Sequence, residues 1–240
     1  MSVRNRVISF ALLAVSALAA CSQQQAPAPA SAPAAAPVAD AQMTKALDLY
    51  RKLLQEKSWE LAAPIGKEIV EKYPASPAAK EVQETLSDAT AKATAITTHR
   101  RLERLWIYQS GKESGGDQNT ASIYSGDAAD SDRVRLILRR HSAWGQSAYL
   151  FGSGKGFECR GTCSLAARFD DQPPTKIKAY LPPTGEPALF ISDDKAFIAR
   201  LGATQKISID VTEKGKGTRT LVFEVGGFDP GKFPPLAKKR

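Results

Sequence analysis

The sequence predicts an α+β protein in which a helical segment precedes a β-rich one. From residue 43 to residue 104, apolar side chains recur every three or four positions, which is typical of amphipathic helices. From residue 105 to residue 240 they form nine short runs, several of which alternate with polar residues, as in half-buried strands. The expected architecture is a helical hairpin with a third helix, followed by an antiparallel β-sandwich or open barrel that carries one short helix.

The first 20 residues have the three parts of a secretory signal. Arg4 and Arg6 precede an apolar stretch from Val7 to Ala17, and the sequence LAA at residues 18–20 follows it. The stretch is too short to cross a bilayer, because a hydrocarbon core of ~30 Å takes about 20 helical residues. Residues 1–20 are therefore predicted to be a removable signal peptide.

The sequence from Leu18 through Ala20 to Cys21 resembles the lipobox of bacterial lipoproteins. The resemblance implies cleavage before Cys21 and attachment of acyl chains such as palmitate. Two or three chains, at ~0.8 kcal/mol per buried methylene, give a stable membrane anchor. Because the non-acidic Ser22 follows, it also implies the inner leaflet of the outer membrane, facing the periplasm. The alternative is ordinary cleavage after Ala20, which Leu18 disfavours because a small residue is preferred there.

Residues 21–42 are predicted to form a disordered tether behind the lipidated cysteine. Almost all of them are Ala, Pro, Gln or Ser, without apolar periodicity. The prolines between residues 27 and 37 argue against a continuous helix. At ~3.1 Å per residue in a polyproline-like conformation, the tether would reach about 65 Å.

Three helices are expected between Met43 and Arg104. Ser58 is the expected N-cap of the second helix, which contains Pro64 and ends near Tyr73. The expected apolar positions of the first two helices are Leu47, Tyr50, Leu54, Leu61, Ile65 and Ile69.

The run EKYPASPAAKEVQETL resembles the inter-repeat turn of periplasmic tetratricopeptide-repeat proteins, through Tyr73, Pro74, Ser76 and Ala79. The match covers little more than one repeat, whereas such solenoids need about three. It implies a single helical hairpin, with a third helix from residue 78 to residue 104.

The third helix carries an apolar stripe with two open interpretations. Its members recur at spacings of four and three: Val82, Leu86, Ala89, Ala93 and Ile96. The stripe is either a short coiled-coil seam that makes a homodimer or a packing surface within one chain.

The β-rich segment is expected to contain nine strands and one helix. In the run RVRLILR, Val134, Leu136 and Leu138 share one face, and the arginines share the other. The strand-like runs are RLWIY, TASIYS, RVRLILR, SAYLF, SLAARF, IKAYL, ALFIS, KISIDV and RTLVFEV. The expected helix has Ser192 as its cap, Phe197, Ile198 and Leu201 on its buried side, and Gly202 at its end.

The order of ARFDD, FISDDKAFIARLGATQKISIDV and TLVFEVGGFD resembles the C-terminal β-domain of VasI-type lipoproteins, which are associated with type VI secretion. The resemblance covers about 100 residues of this chain. It implies an accessory periplasmic role without catalysis.

Cys159 and Cys163 are predicted to form a disulfide. Phe157 and Cys159 share one expected strand face, as do Cys163 and Leu165, across a three-residue turn at residues 160–162. An oxidising periplasm favours bonding of such a pair. The two histidines lie at no zinc-ligand spacing, and a redox centre would show C-x-x-C.

The sequence contains no pattern that specifies a reaction, and we assign it no catalytic residue, metal or cofactor. GSGKG at residues 152–156 lacks the remainder of a phosphate-binding loop and is expected to be a turn. Asp170 and Asp171 are adjacent, so they would point to opposite faces and are expected to open a turn. His141 has no nearby carboxylate in sequence.

Arg133, Arg135 and Arg139 form the exposed face of one expected strand. They would contact an anionic polymer or a partner, unless they form only a solvated face. The segment lacks interleaved aromatic residues, which together with export argues against nucleic acid.

The sequence favours a noncatalytic outer-membrane lipoprotein that acts as an adaptor in the cell envelope. Removal of residues 1–20 with Arg4 and Arg6 takes the formal net charge from +8 to +6, which suits an unidentified acidic envelope protein or an anionic envelope polymer and is equally compatible with plain solubility. The alternative is a periplasmic inhibitor or immunity protein that blocks a toxin or a lysozyme-like hydrolase.

Replacing Cys21 by alanine should release the protein from the membrane fraction or leave it as an unprocessed precursor. The reason is that the sulfur is the expected attachment point for the acyl chains. Metabolic labelling with radioactive palmitate should mark only the wild type. Equal labelling and equal membrane retention of Cys21→Ala would contradict the lipoprotein prediction.

Overall fold

A computed structural model describes residues 36–126, 132–152 and 154–236 of the chain. The predicted signal peptide, Cys21 and the tether up to residue 35 lie outside the described residues. From Gln42 onward the described residues form one compact unit. The predicted α+β class is confirmed, because three helices precede an antiparallel sheet and one further helix connects two of its strands.

The three N-terminal helices are α1 (Ala36–Gln55), α2 (Trp59–Lys72) and α3 (Pro77–Glu103). Helix α1 begins inside the range 21–42 that was predicted as tether. Pro37 is compatible with this start because a first-turn residue needs no backbone donor. The side chain of Ser76 caps α3 by accepting a hydrogen bond from the Ala79 amide at 3.0 Å. Ser58 precedes α2 as predicted, but its side chain makes no capping hydrogen bond.

The helices share a small apolar core centred on Tyr50, whose hydroxyl lies 2.8 Å from Thr85 Oγ1. The prediction that Leu61 belongs to this core is wrong, since its side chain is 62% exposed. The neighbouring Ala62 is fully buried instead. Small residues occupy the contact here because α2 approaches closely; a methyl group on Gly66 would meet a Tyr50 ring carbon at 2.7 Å. The core contains Tyr50, Leu53, Ala62, Ile69, Ala78 and Val82.

The first half of the α3 stripe packs within the chain. Val82 and Ala89 are fully buried, and Leu86 packs against the helical core. Ile96, near the other end, is 37% exposed. A homodimer through the exposed half of α3 stays a prediction.

Within the described ranges one antiparallel sheet has nine strands in the order β1-β2-β3-β4-β7-β6-β5-β8-β9. Each predicted run contributes to one strand. The sheet is open, because no pairing joins β1 to β9 among these residues. The strands are β1 (Ile107–Glu113), β2 (Gly116–Tyr124), β3 (Arg135–His141), β4 (Gly145–Phe151), β5 (Thr162–Phe169), β6 (Thr175–Tyr180), β7 (Ala188–Ile191), β8 (Ile207–Glu213) and β9 (Gly217–Phe223).

Helix α4 (Asp194–Leu201) connects β7 to β8 and covers one part of the core. Its N-cap is Asp193, not the predicted Ser192, because the Asp193 carboxylate accepts a hydrogen bond from the Ala196 amide at 3.1 Å. A carboxylate there also favours the helix dipole. The buried side was predicted correctly as Phe197, Ile198 and Leu201, and Gly202 ends the helix.

The turn after β5 was predicted from Asp170 and Asp171. Asp170 has a positive φ of 52°. Its Oδ1 accepts hydrogen bonds from the backbone amides of Gln205 and Lys206, both at 2.8 Å. The carboxylate therefore fastens this turn to the start of β8, which gives Asp170 a structural role.

The junction between α3 and the sheet is closely packed. Trp106 Nε1 donates a hydrogen bond to the Val225 carbonyl at 3.3 Å. Both guanidinium NH groups of Arg101 donate to the Glu224 carboxylate, which lowers the pKa of Glu224. Gly227 lies against α3 so closely that a methyl group would meet the Glu103 nitrogen at 2.2 Å.

Gly227→Ala should destabilise the protein by about 1–3 kcal/mol or more, because the added methyl group overlaps helix backbone that has little freedom to move. The measurement is the urea midpoint of unfolding. Gly111→Ala is the matched control, since a methyl group at Gly111 would meet nothing within 4 Å. Equal midpoints for the two variants would contradict the packing described for the junction.

Candidate binding surface

The outer face of the sheet carries a row of apolar and aromatic side chains. Ile137, Tyr149, Phe190 and Tyr180 are successive register partners across β3, β4, β7 and β6. Their neighbours along the strands, such as Leu136 and Leu150, are fully buried in the core. Side chains alternate between the two faces along a strand. Because these neighbours are buried in the core, the row of Ile137, Tyr149, Phe190 and Tyr180 lies on the outer face.

The aromatic rings of this row stack in a continuous series. The ring centroids of Tyr149 and Phe190 are 4.7 Å apart, with planes inclined by 19°. Those of Tyr180 and Phe190 are 5.6 Å apart and inclined by 26°. Tyr180 remains 40% exposed, so the series ends at solvent. Stacked rings held by backbone pairing present a rigid contact surface.

Two arginines extend over these rings. The guanidinium carbon of Arg139 lies 5.0 Å from the ring centre of Trp144 and 5.3 Å from that of Tyr149. The corresponding distance from Arg135 to the Tyr124 ring is 5.8 Å. These distances are in the range of cation–π contacts. Among the described residues neither arginine has a salt bridge, and Arg139 Nε donates only to Ser147 Oγ, at 3.2 Å.

We refer to this surface as the arginine–aromatic face. Tyr124 and Trp144 are 43% and 51% exposed, so much of the face is accessible. Burial raises the pKa of the Tyr149 phenol, and the cationic Arg139 and Arg135 oppose that rise. The Tyr149 hydroxyl is therefore protonated at neutral pH and is able to donate. The face comprises Tyr124, Arg135, Ile137, Arg139, Trp144, Tyr149, Tyr180 and Phe190.

Of the three arginines predicted as a contact face, Arg135 and Arg139 lie on β3 over aromatic rings, whereas Arg133 lies outside the strand. Strand β3 begins at Arg135, and Arg133 lies before it, beside a pocket of about 250 Å³. Arg140 is turned the other way; its Nη1 donates to the Phe233 carbonyl, and its guanidinium lies over the Phe233 ring. Arg140 thus holds the C-terminal segment.

The segment 133–140 contains no aromatic residue of its own, yet aromatic rings lie beside its arginines. The rings come from other strands, Tyr124 from β2, Tyr149 from β4 and Phe190 from β7. Only the insertion of β7 between β4 and β6 places Phe190 beside Tyr149. The exclusion of nucleic acid stays a prediction that now depends on export alone.

His141 shapes the turn that presents Trp144. Its Nδ1 accepts hydrogen bonds from the amides of Ala143 and Trp144 at 3.1 and 3.3 Å. That arrangement leaves Nε2 as the donor to the Glu113 carbonyl at 2.9 Å. The imidazole also stacks on the Trp144 ring, with centroids 3.8 Å apart. Its polar contacts are all to backbone, so His141 has a structural role here.

The sulfur atoms of Cys159 and Cys163 lie at disulfide distance, 2.16 Å. The predicted hairpin around them is wrong, because Phe157 pairs with Glu213 of β8 and not with β5. The segment before Thr162 therefore lies beside β8, and the cysteine pair links it to the start of strand β5. In GSGKG, residues 154 and 155 form a turn as predicted, whereas Ser153 lies outside the described residues.

Among the described residues, no group of three or more His, Cys, Asp or Glu side chains is arranged to hold a metal ion. No helix in this part of the chain has the length and apolar character needed to span a bilayer.

Comparison with known proteins gives no family. No protein-family model matches the chain. No curated protein matches it either. Among solved structures, the chain is similar to invasion associated protein B from Bartonella henselae, with 18% identity over 53% of this chain and 87% of that chain. The TM-score is 0.36, a likeness too low to support an argument. The lipobox, tetratricopeptide and VasI-type resemblances stay predictions.

Proposed function

We propose that the protein is a noncatalytic, lipid-anchored adaptor of the cell envelope, and that its arginine–aromatic face binds an acidic surface of a protein partner. The observation that carries this proposal is the pair Arg135 and Arg139, which lie over exposed aromatic rings without a carboxylate partner among the described residues. Guanidinium groups in this position are ready to accept a carboxylate from outside the chain.

The composition of the face favours a protein partner. Tyrosine, tryptophan and arginine are the residues most enriched where binding energy concentrates in protein interfaces. Trp144 and Tyr124 offer large exposed rings, and the protonated Tyr149 hydroxyl adds a polar group that is able to donate. The rings are held in place by strand pairing, so binding would cost little side-chain ordering.

The position of the face suits an adaptor. It lies on the outer surface of the sheet, and its register is fixed by a core on the opposite side. A lipid anchor at Cys21 and a tether ahead of α1 would hold this face in the periplasm at the outer membrane.

The double substitution Arg135→Glu and Arg139→Glu should reduce partner binding by at least about tenfold, since two attractive contacts become repulsive. The full-length lipidated protein would be cross-linked in cells, purified from membranes and analysed for stoichiometric partners by mass spectrometry. Lys45→Glu with Lys80→Glu is the matched control, because both lysines are exposed, lie on α1 and α3 outside the face and give the same charge change.

Loss of the partner from the face variant, but not from the control, is the expected result. Retention by both variants would contradict the proposal. Sedimentation with purified peptidoglycan that depends on Arg135 and Arg139 would reassign the face to an anionic polymer. A secreted hydrolase recovered at equal stoichiometry and inhibited by the wild type would instead favour the inhibitor alternative.

A further inference from the structure

A groove of about 390 Å³ lies between α4 and β6, at the place where β7 ends. Its floor is apolar and includes Phe169, Ile177, Ile191 and Phe197. Cationic side chains form its rim, and Ser192 and Asp193 also line it. None of these residues belongs to the arginine–aromatic face, so the groove is a separate feature of the β-rich segment.

The groove contains an open strand edge. Strand β7 pairs with β6 only at Ala179 and Tyr180, after which the Ser192 amide donates to the Lys178 carbonyl at 2.9 Å. The chain then turns into α4 and no longer runs beside β6. Because backbone groups alternate sides along a strand, the N–H and C=O of Lys176 point the same way as the Lys178 carbonyl. No strand among the described residues continues β7 to pair with Lys176.

The rim has an excess of uncompensated positive charge. Lys176, Lys178 and Arg200 line the groove, and none has a salt bridge in the described part of the chain. Arg200 lies with its guanidinium carbon 3.7 Å from the Phe169 ring centre. The acidic side chain in the lining, Asp193, is already engaged by the Ala196 amide. The three cationic side chains outnumber the one carboxylate, which is already hydrogen-bonded within the chain, so the groove favours an anionic ligand.

We propose that this groove binds an extended acidic peptide segment of a partner protein. The segment adds a short strand alongside β6, beyond the end of β7, and its main chain pairs with the N–H and C=O of Lys176. Its acidic side chains face Lys176, Lys178 and Arg200, while an apolar side chain packs on Phe169 and Ile177. Main-chain pairing supplies affinity and the alternating side chains supply specificity, as in other strand-addition complexes. The site stands whether or not the adaptor function holds.

The probe for this site is a fluorescein-labelled peptide of alternating glutamate and valine, titrated with the full chain at low salt and followed by fluorescence anisotropy. Saturable binding is expected. Lys176→Glu combined with Lys178→Glu and Arg200→Glu should weaken it at least about tenfold, because each exposed cation becomes repulsive. The matched control is Lys45→Glu with Lys80→Glu and Lys112→Glu, which changes the net charge equally on exposed residues outside the groove and should leave binding unchanged.

Main-chain pairing is tested by the same peptide with alternate backbone nitrogens methylated, which should bind at least about tenfold more weakly because its donors are lost. In nitrogen-15 NMR spectra the Lys176 amide should shift on addition of the unmethylated peptide. Absence of binding up to about 1 mM, equal binding of the peptide with lysine in place of glutamate, or equal loss in the control variant would overturn the proposal. Binding to phosphatidylglycerol vesicles without binding to the peptide would assign the rim to a lipid surface instead.

Discussion

Burial of the inner face of the sheet fixes the strand register and thereby determines which side chains the outer face presents. Leu136, Leu138, Leu150 and Leu189 are almost completely inaccessible to solvent. A slip of one residue in any of these strands would move its apolar set to the outside, so the core fixes the register. Once the register is fixed, the outer side chains have no freedom in their placement. The stacked rings and the two arginines are therefore a consequence of core packing.

The same constraint explains why charge remains unpaired on the outer face. Most cations of the helical segment have carboxylate partners, such as Arg51 with Glu81 and Arg100 with Glu60. Arg135 and Arg139 instead lie in a surface whose register partners are aromatic or small polar residues. Exposed ion pairs contribute little to stability, so leaving these arginines unpaired costs the fold little. The positive charge remains available for binding.

Much of the fold could be predicted from the sequence because it depends on local periodicity. All nine strands and the buried side of α4 follow from alternation and helical spacing. The arginine–aromatic face could not, since Tyr149 and Phe190 become neighbours only through the order of strands in the sheet. The pairing of the cysteines could be predicted, but their surroundings could not. Phe157 pairs with Glu213 of β8, which lies far away in the sequence, and a local pattern does not encode such a pairing. Asp193 caps α4 in place of the predicted Ser192. Both are good capping residues and they are adjacent, so the local sequence does not decide between them.

Site-specific photocross-linking in the native host would show whether a partner protein contacts the arginine–aromatic face. A benzophenone amino acid would replace Trp144 or Tyr180 on the arginine–aromatic face, and Leu49 on α1 as a control, since Leu49 is also an exposed apolar residue at 46%. A discrete cross-linked partner is expected from residues 144 and 180, and it should be lost when Arg135→Glu and Arg139→Glu are introduced. Cross-links from residue 49 alone, or cross-links at residues 144 and 180 that persist after both charge reversals, would contradict it.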